Sequence, residues 1–244
     1  MNRLQVDFFI KQEDYLILDS DRVKIVLTNA EDNRSFNRST EEGIKYLNSL
    51  NEEFNLNDIV YLKQIHSDKI LRYYGKNINS MEGDAIVTDV RNVAIGVFTA
   101  DCVPVILIDE DNNVIAAIHS GWRGTFESIT LKTIEKMKNE FGCSGNNIKA
   151  YIGAHIGKCC YEVSEELKEK FIEKKSDIDE KKLFNGRNLN LEACIEDDLI
   201  KGGVKRDNMF TLGLCTYCSD KLKLHSYRKS EGSYGRMFSF VFLK

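Results

Sequence analysis

The sequence holds one proline, Pro104, and one tryptophan, Trp122. Its histidines number four: His66, His119, His155 and His225. A lone proline in 244 residues excludes a proline-rich linker, and no low-complexity stretch or short repeat divides the chain. Long apolar runs are also missing; none reaches the about 20 residues needed to span a bilayer. The first residues, MNRLQVDFFIKQEDYLILD, carry charge through their apolar stretch, which argues against a signal peptide. Net charge is small, at −4, so neither nucleic acid nor an anionic membrane is expected as a partner. A sum of charges still hides any local basic pocket that would take a small anion.

What is present suits one α/β (α+β) domain over residues 1–244. Hydrophobic residues make up 42% and charged residues 30%, a balance that allows a full core. The seven cysteines are an odd number, ill suited to a closed disulfide framework, and read as reduced thiols of a cytoplasmic protein. Segments LQVDFFI, YLILD, VKIVLTN, IVYLKQIH and KILRYY read as strands. A helix is expected from Thr40 to Leu50, opened by a Ser39/Glu42 capping box, with Gly43 weakening its first turn. DAIVTD, VAIGVFTADCVPVILID and NVIAAIHSGWRG are continuous Val- and Ile-rich runs, the pattern of strands buried on both faces, with a turn at Asp111-Asn112-Asn113. Helices follow over 125–141, from Ser164, and through NLNLEACIEDDLIKGG to Gly202-Gly203; NIKAYIGAHI, MFTLGLCTYC and GRMFSFVFL read as strands.

Three residues stand at apparent strand ends: His66 in QIHSD, Cys102 in TADCVP and His119 in AAIHSGWRG. Two imidazoles and a thiolate suit zinc, with a fourth position open for water or substrate. A cysteine in an apolar run is equally a small buried hydrophobe, and the glycines around Trp122-Arg123 equally make a plain turn. Asp101 is a charge inside a run that otherwise reads as buried, so it needs a partner or a task. Cys215 and Cys218 form a CxxC pair. A zinc ribbon needs a second such pair, and adjacent Cys159 and Cys160 have the wrong spacing, so Cys215 and Cys218 are read as structural thiols.

QIHSD, GDAIVTD, TADCVPVILID, AAIHSGWRGT, CCYEVSEEL, CTYC and SYRKSEGSYGRM stand in an order that resembles the YfiH-like, laccase-domain family, first labelled multicopper polyphenol oxidase. The resemblance covers about residues 59 to 242. It implies a compact fold with mixed β-sheets packed between helices and metal ligands at His66, Cys102 and His119. It further implies a zinc-dependent purine nucleoside phosphorylase acting on adenosine, guanosine, inosine and S-methyl-5′-thioadenosine with inorganic phosphate, and deaminating adenosine. The stretch LTNAEDNRSFNRSTEE departs from the family's glycine-containing N-terminal segment. In IGAHIGKCCYEV, His155 and Lys158 are unusual.

On this reading Cys102, His119 and Asp101 are the catalytic candidates. Arg123, Arg228 and Arg236 suit phosphate, because a guanidinium fork holds two phosphate oxygens. Asp84 is grouped with the substrate residues, with orientation of a ligand histidine as its other possible task. Trp122 or Tyr227 offers a ring for the purine. A copper polyphenol oxidase, a Cys102–His119 thiol hydrolase or amidase acting on cell-wall precursors, and a non-catalytic metal-binding protein are the alternatives. Copper is disfavoured, since a multicopper oxidase needs more than four histidines.

Overall fold

Period-two alternation builds the molecule. The computed structural model describes residues 1–230 and 235–244. Its strands are β1 (Asn2–Arg3), β2 (Ile10–Gln12), β3 (Tyr15–Asp19), β4 (Val23–Thr28), β5 (Asp58–Val60), β6 (Ile70–Arg72), β7 (Ala85–Thr88), β8 (Val93–Thr99), β9 (Val103–Asp109), β10 (Val114–Ser120), β11 (Lys149–Ile152), β12 (Phe184–Asn185), β13 (Asn188–Leu189), β14 (Met209–Thr211) and β15 (Met237–Leu243). Its helices are α1 (Glu41–Glu53), α2 (Trp122–Phe126), α3 (Ile129–Phe141), α4 (Glu165–Lys174), α5 (Glu180–Leu183) and α6 (Leu191–Lys201).

A mixed sheet of order β1-β14-β11-β9-β10-β7-β6 lies against a second of order β2-β3-β4-β15-β8-β5, and β12 pairs with β13 alone. In β9, Ile106 and Ile108 join Ile25, Ile95 and Val241 of the other sheet in the core between the two. Val103, Val105 and Leu107 point the other way, toward Ile134 and Met137 of α3 and Leu199 of α6. The far face of the second sheet, with Phe98, Phe238 and Phe240, is covered by Leu47 and Leu50 of α1. Both faces of the central strands are therefore buried, which is why they read as unbroken apolar runs. The expected α/β architecture, mixed sheets between helices, is the one observed.

Several local expectations are corrected. LQVDFFI is no strand: Val6–Phe8 form a 3-10 turn and Phe8 is exposed. Helix α1 is capped by Thr40, whose hydroxyl accepts from Gly43 N at 3.1 Å, so the Ser39/Glu42 box does not form. Gly43 is no weakness, because a Cβ there would lie 2.1 Å from the Asn37 carbonyl oxygen. The helix expected over 125–141 is two, α2 and α3, broken where Ser128 takes φ 58°. In IVYLKQIH the strand ends at Val60. NIKAYIGAHI and MFTLGLCTYC likewise keep only β11 and β14. The Asp111–Asn113 turn, the helix start at Ser164 and the Gly202-Gly203 stop form as expected.

TADCVP is a corner between sheets. β8 belongs to one sheet and β9 to the other, so the chain must cross at Ala100–Cys102. Asp101 makes the crossing with φ 92°, a conformation that an ordinary side chain resists and aspartate tolerates better.

Candidate metal centre and its cavity

The crossing delivers Cys102 beside two histidines. The ligand atoms of His66, Cys102 and His119 all lie within 4.8 Å of one another. Cys102 Sγ is 3.8 Å from His66 Nε2, and the two imidazole rings meet edge-on with centroids 4.9 Å apart. His119 sits in β10, where its Cα faces Pro104 of β9. His66 is not at a strand end; it lies in the loop between β5 and β6 with φ 58°.

Asp84 holds that loop. Its Oδ1 accepts from His66 N at 3.0 Å and its Oδ2 from Ser67 N at 2.6 Å and Ser67 Oγ at 2.7 Å. Oδ1 is also 2.8 Å from His119 Nδ1. The Asp84 carbonyl oxygen accepts from His119 N at 2.7 Å. The carboxylate thus keeps the His119 proton on Nδ1 and leaves Nε2 as the nitrogen open to a ligand role. Burial opposes ionisation of Asp84, but the hydrogen bonds from His119 and Ser67 outweigh it and hold the carboxyl below its usual range. Asp84 is buried and absent from the cavity wall, a position that favours the orienting task over substrate binding.

Gly121 completes the centre by being small. A Cβ there would lie 2.9 Å from the His66 ring and 3.1 Å from Cys102 Sγ. The glycines of HSGWRG serve close packing: Gly121 against His66 and Cys102, Gly124 against the Ser67 carbonyl oxygen at 3.0 Å. Two imidazoles, one thiolate and this cleared space fit a single ion with one position left open. Burial disfavours the Cys102 thiolate, yet His119 and His66 overcome it and bring the thiol down to about 6. Burial likewise opposes charge on His119, while Cys102 and Asp84 raise it to about 9. In chelated protein, iodoacetamide is therefore expected to alkylate Cys102 at a rate that rises with pH through about 6, where the thiolate forms. Mass spectrometry across pH checks this; a midpoint at the ordinary thiol value contradicts the pairing.

The centre opens on a cavity of about 570 Å³, a size suited to a small-molecule ligand. Arg123, Arg228 and Arg236 all line it, as do Trp122 and Tyr227. Arg38, in the divergent N-terminal stretch, lines it too and escaped the motif reading. Its guanidinium lies 4.4 Å from the Phe98 ring centroid and 5.0 Å from that of Tyr61. Burial lowers its pKa, with Tyr61 opposing and nearby Arg236 adding to the shift. Two cations held close, Arg38 and Arg236, make this wall attractive to an anion.

Asp101 also borders the cavity, but both its oxygens are engaged. Oδ1 accepts from the Thr216 hydroxyl at 2.6 Å and Oδ2 from Arg228 N at 2.7 Å. Its geometry is that of a brace between the strand crossing and two later loops. His155 and Lys158 lie elsewhere, lining a separate cavity. Residues 231–234 of the SYRKSEGSYGRM motif are outside the described residues.

Fold and site define a two-sheet α/β protein in which a thiolate and two imidazoles can share one metal ion beside an arginine-lined cavity. The chain belongs to the family described as multi-copper polyphenol oxidoreductase laccase, whose model matches residues 38–244. A purine nucleoside phosphorylase of Clostridium acetobutylicum is 43% identical over 244 residues, covering the whole of both chains. An adenosine deaminase, RL5, from an unknown prokaryotic organism is 30% identical over 202 residues, 78% of this chain and 76% of its own. The crystal structure of the Bacillus licheniformis hypothetical protein YfiH superposes with TM-score 0.86 at 23% identity, covering 96% of this chain and 98% of the other, and shows the same fold. Both of these curated relatives carry enzyme names.

Proposed function

We propose that the chain is a zinc-dependent purine nucleoside phosphorylase, acting as one domain in the cytoplasm on adenosine, guanosine, inosine and S-methyl-5′-thioadenosine, with adenosine deaminase activity beside it. The observation that carries the reading is the union of one His66–Cys102–His119 centre with a cavity bearing four arginines and several aromatic rings. The name of the Clostridium relative supports the first activity and that of RL5 the second. Thiolate ligands and free cysteines suit a reducing compartment.

Phosphorolysis forms a bond from a phosphate oxygen to C1′ and breaks the C1′–N bond, whose electron pair leaves with the purine. A bound zinc supplies Lewis acidity at its open position. The chain's own part is to gather the reactants. Arg38, Arg123, Arg228 and Arg236 concentrate positive charge for the phosphate. Trp122, Tyr161 and Tyr227 offer faces for the base. Cys102 and His119 serve as ligands, Asp84 fixes the imidazole, and Asp101 braces the wall.

The test is direct: purified protein with adenosine and phosphate releases adenine and ribose 1-phosphate, and chelation stops it. Zinc-loaded protein that turns over no nucleoside refutes the proposal. Arg38→Ala is expected to raise the KM for phosphate about tenfold, the worth of one charge-assisted hydrogen bond, and to leave the KM for adenosine little changed. Initial rates with each substrate varied in turn check it.

One observation favours a second reading. In space Cys102 neighbours His119, whose Nδ1 meets Asp84, giving the thiolate–imidazole–carboxylate arrangement of a cysteine hydrolase. Such an enzyme keeps its activity in chelator, where a zinc enzyme loses it. The copper oxidase reading has less support. His155 contacts the Gly153 carbonyl oxygen and His225 that of Arg34, so neither adds an imidazole to the centre.

A further inference from the structure

A second set of thiols gathers outside the cavity lining. Residue 155 forms a parallel bridge with residue 215, through His155 N to the Leu214 oxygen and Thr216 N to the His155 oxygen. That bridge brings the turn carrying Cys159 and Cys160 against the turn carrying Cys215 and Cys218. All four sulfurs lie within 4.8 Å of one another, with Cys159 and Cys218 at 3.5 Å. Zinc–sulfur bonds of about 2.3 Å put the sulfurs of a tetrahedron about 3.8 Å apart. The cluster has the dimensions of a single-ion site, and it joins adjacent cysteines to a CxxC pair in a way that linear spacing argued against.

Burial does not explain the grouping, because Cys159 and Cys218 are exposed. Backbone donors face one of the four sulfurs. Gly157 N donates to Cys215 Sγ at 3.4 Å, and the Tyr217 and Cys218 N–H groups address the same sulfur. A Cβ on Gly157 would crowd Cys159 Sγ at 3.3 Å. Arg3 and Lys158 line the adjoining cavity and offset the negative charge of a four-thiolate centre. The carboxylates of that cavity are already partnered: Glu192 by Thr211 and His155, Glu196 by Arg206 and the amino terminus.

We propose that Cys159, Cys160, Cys215 and Cys218 bind a second, structural zinc ion. Four sulfurs close the coordination sphere, so the ion performs no chemistry on substrate. It clamps two turns that shape the first site: Tyr161 lines the cavity, and the Thr216 hydroxyl holds Asp101. The inference stands apart from the proposed reaction, since it concerns metal content alone.

Metal analysis of the full chain purified under reducing conditions is expected to find two zinc ions per chain. Cys102→Ala retains one, and after exchange with cobalt(II) that one gives the intense visible and sulfur-to-cobalt charge-transfer bands of a four-thiolate site. In the Cys102→Ala background, Cys218→Ser loses the ion, while Cys218→His, which still offers a zinc ligand, retains it. If Cys218→Ser fails to fold, the Cys102→Ala result decides the matter. Cys102→Ala protein devoid of metal, iron in place of zinc, or a disulfide among these four cysteines under reducing conditions overturns the proposal.

Discussion

Cys102→Ala is expected to lower adenosine phosphorolysis about a thousandfold or more and to cut bound zinc from two ions per chain to one. Cys102 carries the only thiolate of the first centre. Without it, His66 and His119 remain as two imidazole donors, too few for a tight zinc site. The substitution removes little packing, since Cys102 is half-buried and an alanine Cβ keeps the backbone geometry. Folding should therefore survive, and circular dichroism and a thermal melt verify that before the kinetics are read. Loss of activity with the first zinc retained would shift the mechanism toward a cysteine nucleophile. Activity near wild type without that zinc rejects the proposed mechanism altogether. Cys102→Ser separates the cases further, because a hydroxyl is a poor zinc ligand at neutral pH.

The triad was legible because each member sits in a compact motif, and the relation among the motifs was not. His66 looked like the end of a strand, since IVYLKQIH alternates well; the loop that carries it is set by Asp84, far away in the chain. β8 and β9 read as one run, because strands buried on both faces look alike whichever sheet they join. Only the positive φ at Asp101 marks the crossing, and backbone angles are not written in composition. Arg38 was missed because it lies within the segment that departs from the family pattern. The four-cysteine cluster was hidden because a bridge at residues 155 and 215, a tertiary feature, sets the distance between its halves. Packing periodicity, helix starts and helix stops were readable locally; groups acting through long-range hydrogen bonds were not.

Asp84→Asn is the more informative change for the same reason, and its expected effect is a 10- to 100-fold loss of zinc affinity at the first centre, with roughly 1–3 kcal/mol of lost stability. The asparagine is nearly the same size, so packing is kept. What changes is the number of acceptors. The Asp84 carboxylate faces the N–H groups of His66 and Ser67, the Ser67 hydroxyl and His119 Nδ1, all of which need an acceptor. An amide turns an NH2 toward some of them and leaves a buried donor unsatisfied. The loop carrying His66 then loses its anchor, and His119 loses the partner that fixes its tautomer. The sign of the pH dependence follows from the lowered carboxyl pKa. Such a group stabilises the fold above its unfolded value near 3.8, and that contribution disappears as pH falls through the lower folded value. In chelated protein, urea melts should show the wild-type advantage over Asp84→Asn at neutral pH and its loss in strong acid. An advantage independent of pH would mean that shape rather than charge holds the loop, while unchanged zinc affinity in Asp84→Asn would remove Asp84 from the centre.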